Sequence, residues 1–118
     1  AKMLVLSSAW PQADLFRDLL RRALGQLPVR QAYYPGAFDR YAALTEPGGG
    51  KKVEKFGDEK PGTLRWAYVQ GLDAGNPNER LFSTEPFCGI LSEVALPEGE
   101  PAAFLAAVTE FIDSPAAG

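Results

Sequence analysis

Histidine is absent from this chain, and cysteine occurs once, as Cys88. Without histidine there is no Ser-His-Asp or Cys-His pair to activate a nucleophile. The usual imidazole metal ligands are missing too, and a lone cysteine cannot complete a structural zinc site, so no metal is expected. A lone cysteine cannot close an internal disulfide either, which makes a reducing, cytoplasmic setting the expectation. Acid–base work would fall to Asp, Glu, Lys, Tyr or Cys88. No apolar run nears the roughly 20 residues of a membrane span. The short run at 3–6 after Lys2 ends in Ser7-Ser8, which is not a signal-peptide pattern. A cationic excess is also lacking: 12 Lys and Arg stand against 15 Asp and Glu, for a net charge of −3. Arg21-Arg22 and Lys51-Lys52 are isolated pairs without interleaved aromatics. A nucleic-acid partner is therefore not expected.

The 118 residues, 46% of them hydrophobic, suit one domain with a core rather than a disordered chain. Residues 2–8 (KMLVLSS) read as a buried strand. Pro11 and Asp14 open a helix, and Gly25 and Pro28 close it. Its expected inner face is Phe16, Leu20, Ala23, Leu24 and Leu27, with Arg17, Arg21 and Arg22 on the other side. Residues 38–44 suit a short helix with Phe38, Tyr41, Ala42 and Leu44 inward. Residues 51–56 (KKVEKF) alternate as an edge strand guarded by lysines. Residues 64–69 and 90–96 read as further strands, and 71–79 as a polar loop. Pro101 starts a last helix whose inner face is Phe104, Leu105, Val108, Phe111 and Ile112. No internal repeat is expected. Strand–helix alternation at both ends predicts an α/β fold: a partly parallel sheet of about four strands with helices packed on it.

Four stretches invite a chemical reading. Gly48-Gly49-Gly50-Lys51-Lys52 lacks the Ser or Thr and the following helix of a phosphate-binding loop, so a plain loop is expected. Cys88 has no histidine to activate it and is followed by a strand, which suits a buried structural thiol. Tyr33-Tyr34 and Trp66 with Tyr68 could line an apolar pocket, but core packing accounts for them as well. Glu85 lies just before a strand, where a carboxylate can accept hydrogen bonds from ribose hydroxyls, though a solvated loop carboxylate accounts for it equally well. Phe87, two residues on, could cover a flat ring, and Pro86 between them fixes the backbone.

At this stretch the sequence resembles the aldehyde dehydrogenase superfamily. Those enzymes carry Glu-x-Phe-Gly-Pro-Val before a buried strand, and here Glu85-Pro86-Phe87-Cys88-Gly89-Ile90 stands in its place. The likeness is specific at 81–91 and loose elsewhere. Residues 1–24 resemble the strand and helix that follow the family's catalytic cysteine, with Asp14-Leu15-Phe16 on the helix, and 102–113 resemble a later helix. The departure is Cys88-Gly89 where the family has Gly-Pro. The resemblance implies that Glu85 holds the nicotinamide ribose of NAD or NADP and that Phe87 contacts the nicotinamide side. It also implies that residues 1–118 are a single domain or domain fragment lying C-terminal to the nucleophile. A chain beginning at Ala1, without an initiator Met, fits that expectation. Cys88 falls at the motif's glycine position and is not the nucleophile. A full-length parent would oxidise aldehydes, whereas this chain alone is expected to be inactive and to hold no cofactor. The competing expectation is a stand-alone α/β domain acting by self-association, as a homo-oligomer through strands 64–69 and 90–96. A further alternative is ligand binding near Tyr33-Tyr34 and Trp66.

Overall fold

The computed structural model describes residues 3–28, 30–31, 36–46, 50–58, 60–76, 78–83 and 89–113. The elements in chain order are β1 (Met3–Ser7), α1 (Ala13–Gln26), β2 (Arg30–Gln31), α2 (Ala37–Leu44) and β3 (Lys52–Phe56). Then come β4 (Thr63–Leu64), β5 (Trp66–Leu72), α3 (Arg80–Ser83), β6 (Ile90–Leu96) and α4 (Pro101–Asp113). The fold is α/β. Its main sheet has four strands in the order β1-β6-β5-β3. β6 runs parallel to both β1 and β5, while β3 pairs antiparallel with β5.

The strand positions follow from composition. β6 is an almost continuous apolar run, and it occupies the interior, with neighbours on both sides. β3 is mostly polar, with Val53 and Phe56 its two apolar residues, and lies at the edge, with Lys52 and Lys55 exposed. Strands 64–69 and 90–96 are therefore not free edges for self-association, because β5 and β6 are each paired on both sides. The run at 64–69 also divides at Arg65. Thr63–Leu64 pairs with β2 in a separate two-stranded sheet, and Trp66 begins β5.

β5 continues beyond Val69 through a bulge, into what reads in sequence as a polar loop. Gly71 makes this possible, with a φ of 77°. A β-carbon there would stand 2.2 Å from the carbonyl oxygen of Gly50, so β3 can approach only a bare backbone. Beyond the bulge, Leu72 returns to the core.

One face of the sheet carries the apolar core. Ala67, Val69, Leu72, Ile90, Val94 and Leu96 pack there against Tyr41 and Leu44 of α2, Leu81 and Phe82 of α3, and Phe111 of α4. Phe82 and Phe111 meet edge to face with centroids 5.1 Å apart. Two helix faces differ from expectation. In α4, Phe104, Ala107, Val108 and Phe111 pack inward, while Leu105 and Ile112 are exposed. In α2, Ala37, Tyr41 and Leu44 are buried, while Phe38 and Ala42 are exposed. At about 100° per residue, Leu105, Ile112 and Phe38 each lie a quarter-turn beyond a residue that does pack. Apolar character alone did not reveal which stripe the sheet would select.

Candidate functional site

Parallel pairing brings three strand starts to one edge. Met3 stands opposite Ser92, and Ala67 opposite Ile90. Glu85 and Phe87, with Cys88, lie outside the described residues, as do Tyr33 and Tyr34. The first described residue after them is Gly89. Its carbonyl oxygen accepts a hydrogen bond from the N–H of Ala67 at 2.8 Å. Its α-carbon rests against the indole of Trp66, where a β-carbon would come within 3.0 Å of Cε3. Trp66 Nε1 in turn donates to the carbonyl of Pro28 at 3.0 Å. Tyr68, two residues further along β5, is fully buried.

The glycine–lysine stretch shows no phosphate cradle among its described residues. Gly50 has a φ of 88° and leads into a strand. Lys51 Nζ is paired with Glu79 at 2.9 Å, and Lys52 is exposed on β3. Among the described residues, no group of three or more His, Cys, Asp or Glu could hold a metal ion. No helix among them is long and apolar enough to cross a membrane.

The strongest concentration of charge lies elsewhere, between α1 and the second face of the sheet. Glu93, in the middle of β6, is only 2% exposed. Arg17 reaches it from α1, with Nε 3.2 and 3.1 Å from the two carboxylate oxygens and Nη2 3.1 Å from Oε2. The hydroxyl of Tyr68 donates to Glu93 Oε1 from the neighbouring strand. One helical turn later the pattern recurs. Arg21 Nε lies 2.9 and 3.0 Å from the carboxylate oxygens of Glu54 on β3, and Gln70 donates to the same group at 3.2 Å. Each arginine is also tied to an acid three residues earlier, Arg17 to Asp14 at 3.1 Å and Arg21 to Asp18 at 2.8 Å. The Arg21 guanidinium sits 5.9 Å from the Tyr68 ring centroid.

This overturns the expected orientation of α1. Arg17 and Arg21 face the sheet, Arg22 is exposed, and Ala23 and Leu27 are exposed instead of buried. Helix geometry explains why: at about 100° per residue, Arg17 projects within roughly 40° of Ala13 and Leu24, the two buried positions of the helix. The carboxylates then decide which side is inward, because burying them without partners would be prohibitive.

The electrostatics follow the contacts. The hydrogen bond to Glu93 holds the Arg17 guanidinium above its ordinary range, against the opposing effect of burial. For Arg21, burial works to lower the value, but the bonds and charges of Glu54 and Asp18 outweigh it and the net direction is upward. Burial pushes the Tyr68 hydroxyl well up, and the bond to Glu93 and its charge push the same way. A carboxylate this enclosed, already held by a guanidinium and a phenol, is not presented to a substrate. The arrangement fastens α1 to the sheet.

Two signals in the sequence point to it. Glu93 is the one acid inside the run ILSEVAL, and a carboxylate in a buried strand demands a partner. Residues 14–17 and 18–21 read Asp-Leu-Phe-Arg and Asp-Leu-Leu-Arg, the same pattern one turn apart. Compared with known protein families and with curated proteins, the chain gives no match.

Proposed function

We propose that this chain is an α/β piece of an NAD(P)-dependent aldehyde dehydrogenase, with Glu85 and Phe87 contributing to cofactor placement. The supporting observation is the parallel β1–β6 pair, which starts at a single edge of the sheet. Under the resemblance, a cysteine nucleophile precedes β1 and the Glu85-x-Phe87 pair precedes β6. Hydride transfer requires thiolate-bound substrate and nicotinamide to meet, and side-by-side strand starts suit that need. In the full-length parent, a cysteine thiolate would attack the aldehyde carbonyl and a hydride would pass to NAD or NADP. Glu85 would hold the ribose and Phe87 the nicotinamide side. The isolated chain, lacking the nucleophile and a dinucleotide domain, would neither bind the cofactor nor turn over.

Two measurements test this reading. The isolated chain, mixed with aldehyde and NAD or NADP, is expected to produce no reduced nicotinamide absorbance, and a rise would overturn the assignment of roles. In a longer protein carrying this segment, Glu85→Gln is expected to raise the cofactor KM by about tenfold while the aldehyde KM holds. An unchanged cofactor KM removes Glu85 from the site.

A second reading is favoured by the exposed side chains of Leu105 and Ile112 on α4 and of Leu15 and Leu19 on α1. These would make the chain a module that associates with itself through helix faces rather than through strand edges. Sedimentation of the isolated chain as a concentration-independent monomer would exclude it.

A further inference from the structure

The two edges of the main sheet are built differently. β3 carries exposed Lys52 and Lys55, which discourage a further strand. β1, at the opposite edge, reads Met-Leu-Val-Leu-Ser, with no charge, proline or glycine, and its register on β6 has no bulge. It is apolar on both faces. Met3 and Val5 pack against the core cluster, while Leu4 and Leu6 alternate onto the face that carries Glu93. A strand apolar on both faces belongs in the interior of a parallel sheet. β6 has that character and two neighbours, whereas β1 has one, and its Met3, Leu4 and Val5 stay half-buried.

The main-chain groups of β1 divide by position. Ser8 N–H donates to the Leu96 carbonyl at 2.8 Å. In a regular parallel ladder every second residue of a strand bonds to the same neighbour. Leu4 and Leu6 therefore bond β6, and Met3, Val5 and Ser7 turn their N–H groups to the open side. Among the described residues, nothing accepts from the N–H groups of Val5 and Ser7.

We infer that β1 is an interface to a second copy of this chain, pairing antiparallel with the same strand of that copy about a two-fold axis through Val5. A strand edge is its own complement under this symmetry. Val5 meets Val5, Leu4 meets Leu6 and Met3 meets Ser7. The two Val5 residues exchange both of their N–H···O=C bonds, and each Ser7 N–H reaches a Met3 carbonyl. Leucines meet leucines on one face and valines meet on the other, so the half-buried side chains are covered from both sides. This register engages all five residues of the strand, and a slip in either direction leaves some unpaired. Two four-stranded sheets become one of eight. The inference goes beyond the dehydrogenase reading, does not rest on it, and competes with association through the helix faces.

Amide hydrogen exchange of the 118-residue chain, dilute and concentrated, reads this edge directly. The amides of Leu4 and Leu6, held by β6, are expected to exchange alike in both samples. Those of Val5 and Ser7 are expected to slow by about tenfold in the concentrated one, in step with a dimer seen by sedimentation. Val5→Pro removes an outward N–H that β6 does not use, at an edge that tolerates proline, and is expected to give a folded monomer. If that variant does not fold, the exchange pattern of the unaltered chain carries the test. Leu19→Glu and Leu105→Glu, on exposed positions of α1 and α4, are expected to leave the dimer in place. Three results would overturn the inference: a monomer in both samples, Val5 and Ser7 amides already protected in the dilute monomer, or a dimer that survives Val5→Pro and is lost in Leu105→Glu. None of them bears on Glu85, which stays with the cofactor KM.

Discussion

On one face of the sheet, Val69, Val94 and Ile90 are 0–1% exposed and pack on the side chains of α2, α3 and α4. On the other face, Glu93 is 2% exposed and meets a guanidinium and a phenol. The two faces do different work. Apolar burial stabilises in rough proportion to area and is indifferent to direction. A buried ion pair gives back in desolvation much of what it gains by attraction, yet it fails badly when either partner is missing. The α2–α4 face therefore supplies most of the stability. The α1 face supplies position, and no residue of α1 belongs to the continuous apolar cluster.

The largest expected effect tests the charged face. Arg17→Met leaves Glu93 buried without its cation and is expected to cost about 3–5 kcal/mol, read from denaturant midpoints. Adding Glu93→Leu and Tyr68→Phe removes the whole network and is expected to recover most of that loss. On the apolar face, Ile90→Ala is expected to cost about 2–5 kcal/mol, and further truncation there only adds to it. If Arg17→Met costs less than about 1 kcal/mol, the distinction between the faces collapses.

A titration sharpens the same comparison. Tyr68 ionises less readily in the folded chain than in the unfolded one, so the native state holds its proton more tightly. The resulting stability is fully present below about pH 10, the unfolded value, and is lost as pH rises above it, by up to about 1.4 kcal/mol per pH unit. Tyr68→Phe is expected to flatten that alkaline decline in a series of urea melts. An unchanged slope would mean that the hydroxyl is not enclosed. The smallest effect is reserved for the outer rung. Arg21 and Glu54 each keep 27% of their side-chain surface exposed. Arg21→Met is therefore expected to cost under about 1 kcal/mol and to depend on salt, unlike its neighbour one turn earlier.

Much of the fold was legible because composition and position agreed. The strands at 3–7 and 90–96 follow from apolar runs, the edge strand at 52–56 from its lysine-guarded pattern, and the helices beginning near Pro11 and Pro101 from helical spacing behind a proline. The two-residue strands β2 and β4 carry no periodic signal of their own and form only because they meet each other. α3, four residues long, is likewise too short to show a pattern. The orientation of α1 was misread because charge was taken as a mark of solvent. Arg17 turns inward because Glu93 is already inside, a long-range fact that no local window contains. Glu85 and Phe87 stood out as a carboxylate and an aromatic ring just before a strand, and only the resemblance gave them distinct roles. The contact of Gly89 with Trp66, just beyond that stretch, is announced by no sequence spacing.

The repeated Asp-Leu-x-Arg of α1 bears on how the helix finds its seat. Leu20 and Leu24, or Phe16 and Leu20, offer the sheet similar apolar steps. A helix slipped by one turn, about 5.4 Å, would lose little oily contact. Slipped one way, Ala13 would arrive at Glu93; slipped the other, Gly25 would arrive at Glu54. Either leaves a carboxylate bare. The two arginines thus behave as the teeth of a key, and of several near-equivalent seats only one lets both teeth engage.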